Sequence, residues 1–139
     1  MKLDCTVFEN AIHSLEKSRA YTLSDLAKGD KDLYEQFRAA SIQSFEFTYE
    51  LTLKMLRRQL DQIAANPQEL REMSFMDFIR TAHEAGLVRE ALSFKIYREL
   101  RNTTSHTYDH KKAEQVLAKV DAFLSEARFV LSEIKKRNT

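Results

Sequence analysis

The sequence predicts an all-α fold, an antiparallel up-and-down bundle of four to five helices, on three observations. Only 2 of its 139 residues are glycine and 1 is proline, while Leu, Ala, Glu, Lys, Arg and Gln are abundant, so few elements are interrupted. No set of turn residues recurs at the short spacing that a sheet requires. Apolar residues instead repeat every three or four positions through most of the chain. At 43% apolar residues, a chain of this length buries a core without disulfides or a structural metal, and one domain over residues 1–139 is expected.

The first helix is expected over Asp4–Arg19, where Val7, Phe8, Ala11, Ile12 and Leu15 form one apolar stripe. A break over Ser24–Asp32, containing Gly29, separates it from the longest helix, Leu33–Ala65. Pro67 ends that helix, because the residue before a proline is pushed out of the helical region, and Asn66 is the boundary. Phe37, Ile42, Phe45, Phe47, Tyr49, Leu51, Leu53, Met55, Leu56 and Leu60 occupy more than one face, so this helix belongs at the centre of the bundle or in a dimer interface.

A third helix, Phe75–Ala85, has Ser74 as its N-cap, Asp77 three residues on and Gly86 as its stop. The fourth, Arg89–Asn102, carries Leu92, Phe94, Ile96, Tyr97 and Leu100. It meets Thr103, Thr104 and Ser105, whose hydroxyls compete for backbone hydrogen bonds and invite a bend. The last helix, Lys111–Lys136, is capped by Asp109 and keeps Ala113, Val116, Leu117, Val120, Phe123, Leu124, Ala127, Val130, Leu131 and Ile134 in register. Surface left uncovered on the second helix suggests a symmetric homodimer.

Composition excludes several functions. The single cysteine, Cys5, cannot form a disulfide or a thiolate zinc site within one chain, and points to a reducing compartment. The polar stretch Met1 to Cys5 and the absence of any membrane-length apolar run fit a cytoplasmic protein with no membrane partner. A net charge of +1 is not that of a nonspecific nucleic-acid binder, so any polyanion must be met locally. Basic clusters lie at Arg57 and Arg58, at Lys95, Arg98 and Arg101, at Lys111 and Lys112, and at Lys135, Lys136 and Arg137. All but the one around Arg101 read as solvated helix faces.

One segment reads as chemistry, from Arg101 through Asn102, Thr103, Thr104, Ser105, His106 and Thr107 to Tyr108. Arginine, histidine and tyrosine each have roles in phosphate chemistry, and here they fall together at a helix end. At about 100° per residue, Arg101 and His106 stand well apart on an unbroken helix, so bringing them together requires a bend, a long arginine reach or a second chain. Taken by spacing alone, they are a surface arginine and a capping or core-edge histidine.

Arg101, Asn102, His106 and Tyr108, followed by Asp109, resemble the signature of the HEPN domains: Arg, four residues, His, one residue, Tyr, often with Asn directly after the Arg. A second patch, Phe45, Glu46, Glu50, Leu51 and Lys54, is similar to a helix of the branch named for nucleotidyltransferase substrate binding and related to HepT toxins. Leu53 and Phe94 stand where many relatives have tryptophan, a difference of packing.

The resemblance implies a dimer whose two Arg/His segments face one cleft holding RNA or nucleotide, and a separately encoded minimal nucleotidyltransferase as partner. In HepT-like members that cleft is an endoribonuclease working without metal. Arg101 and His106 are then catalytic, with Asn102, Glu46 and Glu50 in support, one of the two glutamates orienting Arg101. Tyr108 is the residue that the partner modifies by adenylylation, in a toxin–antitoxin pair. The alternative function is a noncatalytic subunit that binds nucleotide or substrate for the transferase.

The chemistry is sound on its own terms. Histidine, which ordinarily titrates near neutrality, moves protons to or from ribose hydroxyls and leaving oxygens. Arginine's fork holds phosphate and stabilises added charge. His106 and His110 have the spacing of a helical metal clip but lack a third ligand, and neither metal nor cofactor is expected. His13 and His83 have no motif context. Tyr21, Tyr34, Tyr49 and the nine phenylalanines read as core rather than as base-stacking platforms.

Overall fold

The computed structural model describes residues 2–139, and Met1 lies outside the described residues. The first helix, α1 (Thr6–Thr22), starts and ends slightly later than expected, because Cys5 occupies its N-cap position and the chain stays helical beyond Arg19. Phe8, Ala11, Ile12 and Leu15 face inward, but Val7 of the expected stripe is 59% exposed at its edge.

The expected break over Ser24–Asp32 contains a helix of its own, α2 (Asp25–Gly29), where Ser24 accepts a hydrogen bond from the Ala27 N–H. Asp30 then takes the Asp32 and Leu33 N–H groups at 2.9 and 3.2 Å and caps α3 (Lys31–Ile63), a rod about 50 Å long. Pro67 follows the end of α3 as expected, but it also opens α4 (Pro67–Glu72), with Asn66 as cap. A proline lacks only the N–H that the first helical turn leaves unpaired.

Next comes α5 (Phe75–Glu84), capped by Ser74 on the Asp77 N–H at 3.2 Å. It ends in a reversal that Gly86 makes possible with φ +80°. The Leu87 N–H reaches the Ala82 carbonyl and the Gly86 N–H the His83 carbonyl, each at 2.9 Å, which drives Leu87 into the core. Helix α6 (Ala91–Thr103) runs into a 3-10 turn, Thr104–His106, and α7 (His110–Arg137) starts from the Asp109 cap. Among the described residues there is no strand, and no helix is long and apolar enough to cross a membrane.

Side-chain pairings fix the directions of the long helices. Thr48 bonds to the Ala11 carbonyl while Tyr21 stacks on Phe37, so α1 and α3 are antiparallel. Arg38 meets Glu114, Phe45 meets Phe123 and Gln59 meets Asn138, so α3 and α7 run the same way. Arg89 meets Glu126 and Tyr97 meets Phe123, which turns α6 against both. The result is the expected up-and-down bundle, with α3 at its centre against α1, α2, α4, α6 and α7.

The centre is an aromatic cluster. Phe123 stands edge-on to Phe45 at 5.0 Å and to Tyr97 at 5.3 Å, and Phe94 is edge-on to Tyr97 at 5.5 Å. Burial pushes the Tyr49 hydroxyl up to about 12. All ten α7 positions named from periodicity are buried, whereas on α6 Leu92 and Ile96 are exposed. Phe94 and Tyr97 set the buried face of α6, and Leu92 and Ile96 lie on the opposite side of that helix.

Candidate functional site

The segment from Arg101 to Tyr108 joins α6 to α7. Its hydroxyls turn back on the chain as their chemistry predicts. Thr103 donates to the Glu99 carbonyl at 3.0 Å, Thr104 to that of Arg101 at 2.6 Å, Ser105 to that of Asn102 at 3.1 Å and Thr107 to that of Thr104 at 3.2 Å. The α-helix tightens into the 3-10 turn at this run, so the bend expected between Arg101 and His106 is present.

The two side chains have different partners within the chain. Arg101 lies over α3, where its Nη2 and Nε donate to one oxygen of Glu50 at 2.8 and 3.1 Å. Its Nη1 stands 3.6 Å from Glu46 and donates to the Thr104 hydroxyl at 3.2 Å. Glu46 and Glu50 are one helical turn apart, and both hold the guanidinium rather than the one that was expected. The bond to Glu50, with burial working against it and Glu46 reinforcing it, raises the Arg101 pKa above its ordinary value. With its side chain 34% exposed, the guanidinium is still reachable by a phosphate, which would share it with the carboxylates or displace them.

His106 is exposed, and its ring meets that of Tyr108 edge-on at 6.2 Å. Tyr108 is 83% exposed, so its ring is not packed on the bundle. Asn102 is exposed and lines a cavity of about 440 Å³ between α5 and α6. The segment therefore presents a carboxylate-held arginine just before the turn and an exposed histidine–tyrosine pair at and after its end.

His110 does not join His106. Arg38 Nη2 lies 2.8 Å from His110 Nδ1, and since a guanidinium only donates, that ring nitrogen accepts. Among the described residues no group of three or more His, Cys, Asp or Glu is placed to hold a metal ion. His83 serves structure through Val88, whose carbonyl lies 2.8 Å from its Nδ1. Cys5 is half-buried, and burial raises its thiol pKa.

Sequence reasoning missed the network under the turn. Arg38, 7% exposed, donates to Glu114 at 2.7 Å, and the Tyr34 hydroxyl donates to the same carboxylate. This ties α3 to the first turns of α7 and so steadies the residues that follow Tyr108. The signal was present: Arg38 shares a helical face with Ser41, Ile42 and Phe45, and an arginine on a buried face has to be paired.

Two of the basic clusters are neutralised or stacked, wholly or in part. Lys135 pairs with Glu9, Lys136 and Arg137 with Glu133, and Arg57 lies over the Phe78 ring at 4.5 Å.

Residues 3–136 match the family described as nucleotidyltransferase substrate binding protein like. The chain belongs to this family. A curated relative from Haemophilus influenzae, named a probable ribonuclease HepT, is 40% identical over 140 residues, spanning 99% of this chain and 95% of the relative. A solved Haemophilus influenzae structure, described as revealing the fold of a substrate binding domain of a nucleotidyltransferase, superposes with a TM-score of 0.88 at 38% identity. It covers 95% of this chain and 99% of its own. The HEPN and HepT-like assignment read from Arg101, His106 and Tyr108 is thereby established, and the family description implies a nucleotidyltransferase as partner.

Proposed function

We propose that the chain is a metal-independent endoribonuclease of the HepT type, the toxin of a toxin–antitoxin pair, acting in the cytoplasm as a homodimer. The observation that carries this reading is Arg101 held by Glu46 and Glu50 just before a 3-10 turn, with His106 exposed at the end of that turn. The relative named a probable ribonuclease supports it.

In the reaction, the 2′-hydroxyl oxygen bonds to the adjacent phosphorus and the bond from phosphorus to the 5′-oxygen breaks. The His106 imidazole takes the hydroxyl proton, and the imidazolium so formed gives it up to the leaving 5′-oxygen, so the proton count is unchanged. Arg101 holds the phosphate and offsets the charge that builds on it. The glutamates fix the direction of the fork, and Asn102 contacts phosphate or orients the histidine. Arg101's fork is taken up by Glu46, Glu50 and Thr104 within its own chain, and the family resemblance places two such segments at one cleft, so the reacting phosphate lies between segments from two copies, with Arg101 of one serving alongside His106 of the other.

Purified protein should cleave single-stranded RNA in EDTA, and Arg101→Ala or His106→Ala should abolish cleavage while the protein keeps its helical circular dichroism. Full activity in both variants overturns the assignment. Mixing the two inactive variants should restore some activity if the site spans two chains.

A second reading, a noncatalytic nucleotide- or substrate-binding subunit, is favoured by the family description and by the solved relative, described as a substrate binding domain of a nucleotidyltransferase. Under either reading Tyr108, 83% exposed, is the residue the transferase adenylylates, adding negative charge that repels an RNA phosphate. Intact mass after co-expression with a nucleotidyltransferase should rise by one adenylyl group in the wild type and stay constant in Tyr108→Phe. Binding to the transferase with no RNA cleavage selects the second reading.

A further inference from the structure

The cavity between α5 and α6 is lined by Arg80, Lys95, Arg98, Glu99 and Asn102 together with apolar side chains. Three cations face one carboxylate. Arg80 is paired with Asp77 at 3.1 Å, but among the described residues Lys95 and Arg98 have no carboxylate within ion-pair distance. Lys135, Lys136 and Arg137, by contrast, are each paired with a glutamate.

Helix phase explains why the cations share one opening. Lys95, Arg98 and Asn102 are spaced i, i+3 and i+7 and form one stripe along α6, adjoining the buried face that carries Phe94, Tyr97 and Arg101. The stripe covers about 10 Å of helix and ends at the residue directly after Arg101. The Arg98 guanidinium carbon lies over the Phe75 ring at 4.6 Å, so its other face is available to a planar group. Leu92, 73% exposed, stands among the lining residues with Met76.

We infer that this groove binds the single-stranded RNA that flanks the cleaved phosphate on one side, an inference that rests on the nuclease reading above. Lys95 and Arg98 take backbone phosphates, Asn102 links the groove to the reacting centre, and a base stacks over Arg98 or against Leu92. Unpaired bases are read this way on guanidinium planes and apolar side chains, and the phosphates supply most of the affinity. A double helix suits the groove poorly, because it offers phosphates but no free base face.

The test uses the His106→Ala protein, which binds without cutting, and a labelled single-stranded oligoribonucleotide titrated over a range of salt. Lys95→Glu, an exposed side chain with no ion pair to lose, should weaken binding roughly tenfold at low salt. The slope of log affinity against log salt should fall by about 0.7 for each phosphate contact removed. Arg98→Lys keeps the charge but loses the planar face. It should retain the slope while losing affinity for an oligonucleotide relative to an abasic one of equal length.

Lys17→Glu, on α1, which packs on α3 and α7, is the control and should change neither quantity. Affinity and slope unchanged in Lys95→Glu, while Arg101→Ala still abolishes cleavage, overturn the groove and leave the nuclease reading standing. If the His106→Ala protein binds no RNA and the wild type cuts none, both fall. Loss of transferase binding without loss of RNA binding in Lys95→Glu assigns the groove to the protein partner and overturns the inference.

Discussion

Phe123 makes one ring responsible for both stability and the spacing of the site. It is fully buried on α7 and meets Phe45 and Tyr49 of α3 at 5.0 and 6.3 Å and Tyr97 of α6 at 5.3 Å. Truncating such a ring to alanine removes its transfer free energy and leaves a cavity, together costing about 3–5 kcal/mol. A domain of this size typically has about 5–15 kcal/mol in all. Phe123→Leu keeps much of the volume and loses mainly the two edge-on contacts, about 1–3 kcal/mol.

Glu46 and Glu50 directly follow Phe45 and Tyr49, and Arg101 lies one turn beyond Tyr97, so the ring also sets the distance over which Arg101 meets its carboxylates. Urea unfolding followed by circular dichroism measures the change as a lower midpoint at constant slope. If Phe123→Ala loses less than about 1 kcal/mol with the slope unchanged, the bundle is not organised around this cluster.

Two further predictions concern stability. Although burial opposes ionisation of Glu114, the bonds from Arg38 and Tyr34 hold its carboxyl below the ordinary 4.5. Such a group adds stability that is fully present above its unfolded pKa and is lost as pH falls through the lower folded value. Wild type should therefore exceed Glu114→Gln in unfolding free energy at neutral pH, and the gap should close as pH drops below 4.5; a constant gap refutes the pairing. Gly86→Ala places a side chain at φ +80° with its Cβ 3.0 Å from Arg137 Nη2, and should cost about 1 kcal/mol. An unchanged or raised urea midpoint contradicts the left-handed turn.

Much of the fold is local and was therefore readable in the chain. The α7 register, the Ser74 and Asp109 caps and the Gly86 stop each depend on residues within a turn or two of one another. Where local signals are weak or ambiguous, packing decides. The helices α2 and α4 are only 5 and 6 residues long, too short to show periodicity. Leu92 and Ile96 are as apolar as Phe94 and Tyr97, and only the position of α5 and α7 decides which face of α6 is covered.

The same division holds at the site. The sequence by itself determined that Arg101, Asn102, His106 and Tyr108 stand in a family motif at a helix end, and that Thr103, Thr104 and Ser105 would bend the chain there, since hydroxyls bonding to nearby carbonyls need no distant partner. Only the tertiary structure decided that Arg101 turns onto Glu46 and Glu50, which are 51 or more residues away, that Arg38 pairs with Glu114 across 76, and that Lys95 and Arg98 are left facing a groove. These depend on which helices pack together. A charged group's partner is set by that packing, because Coulomb attraction acts through space and takes no account of separation along the chain.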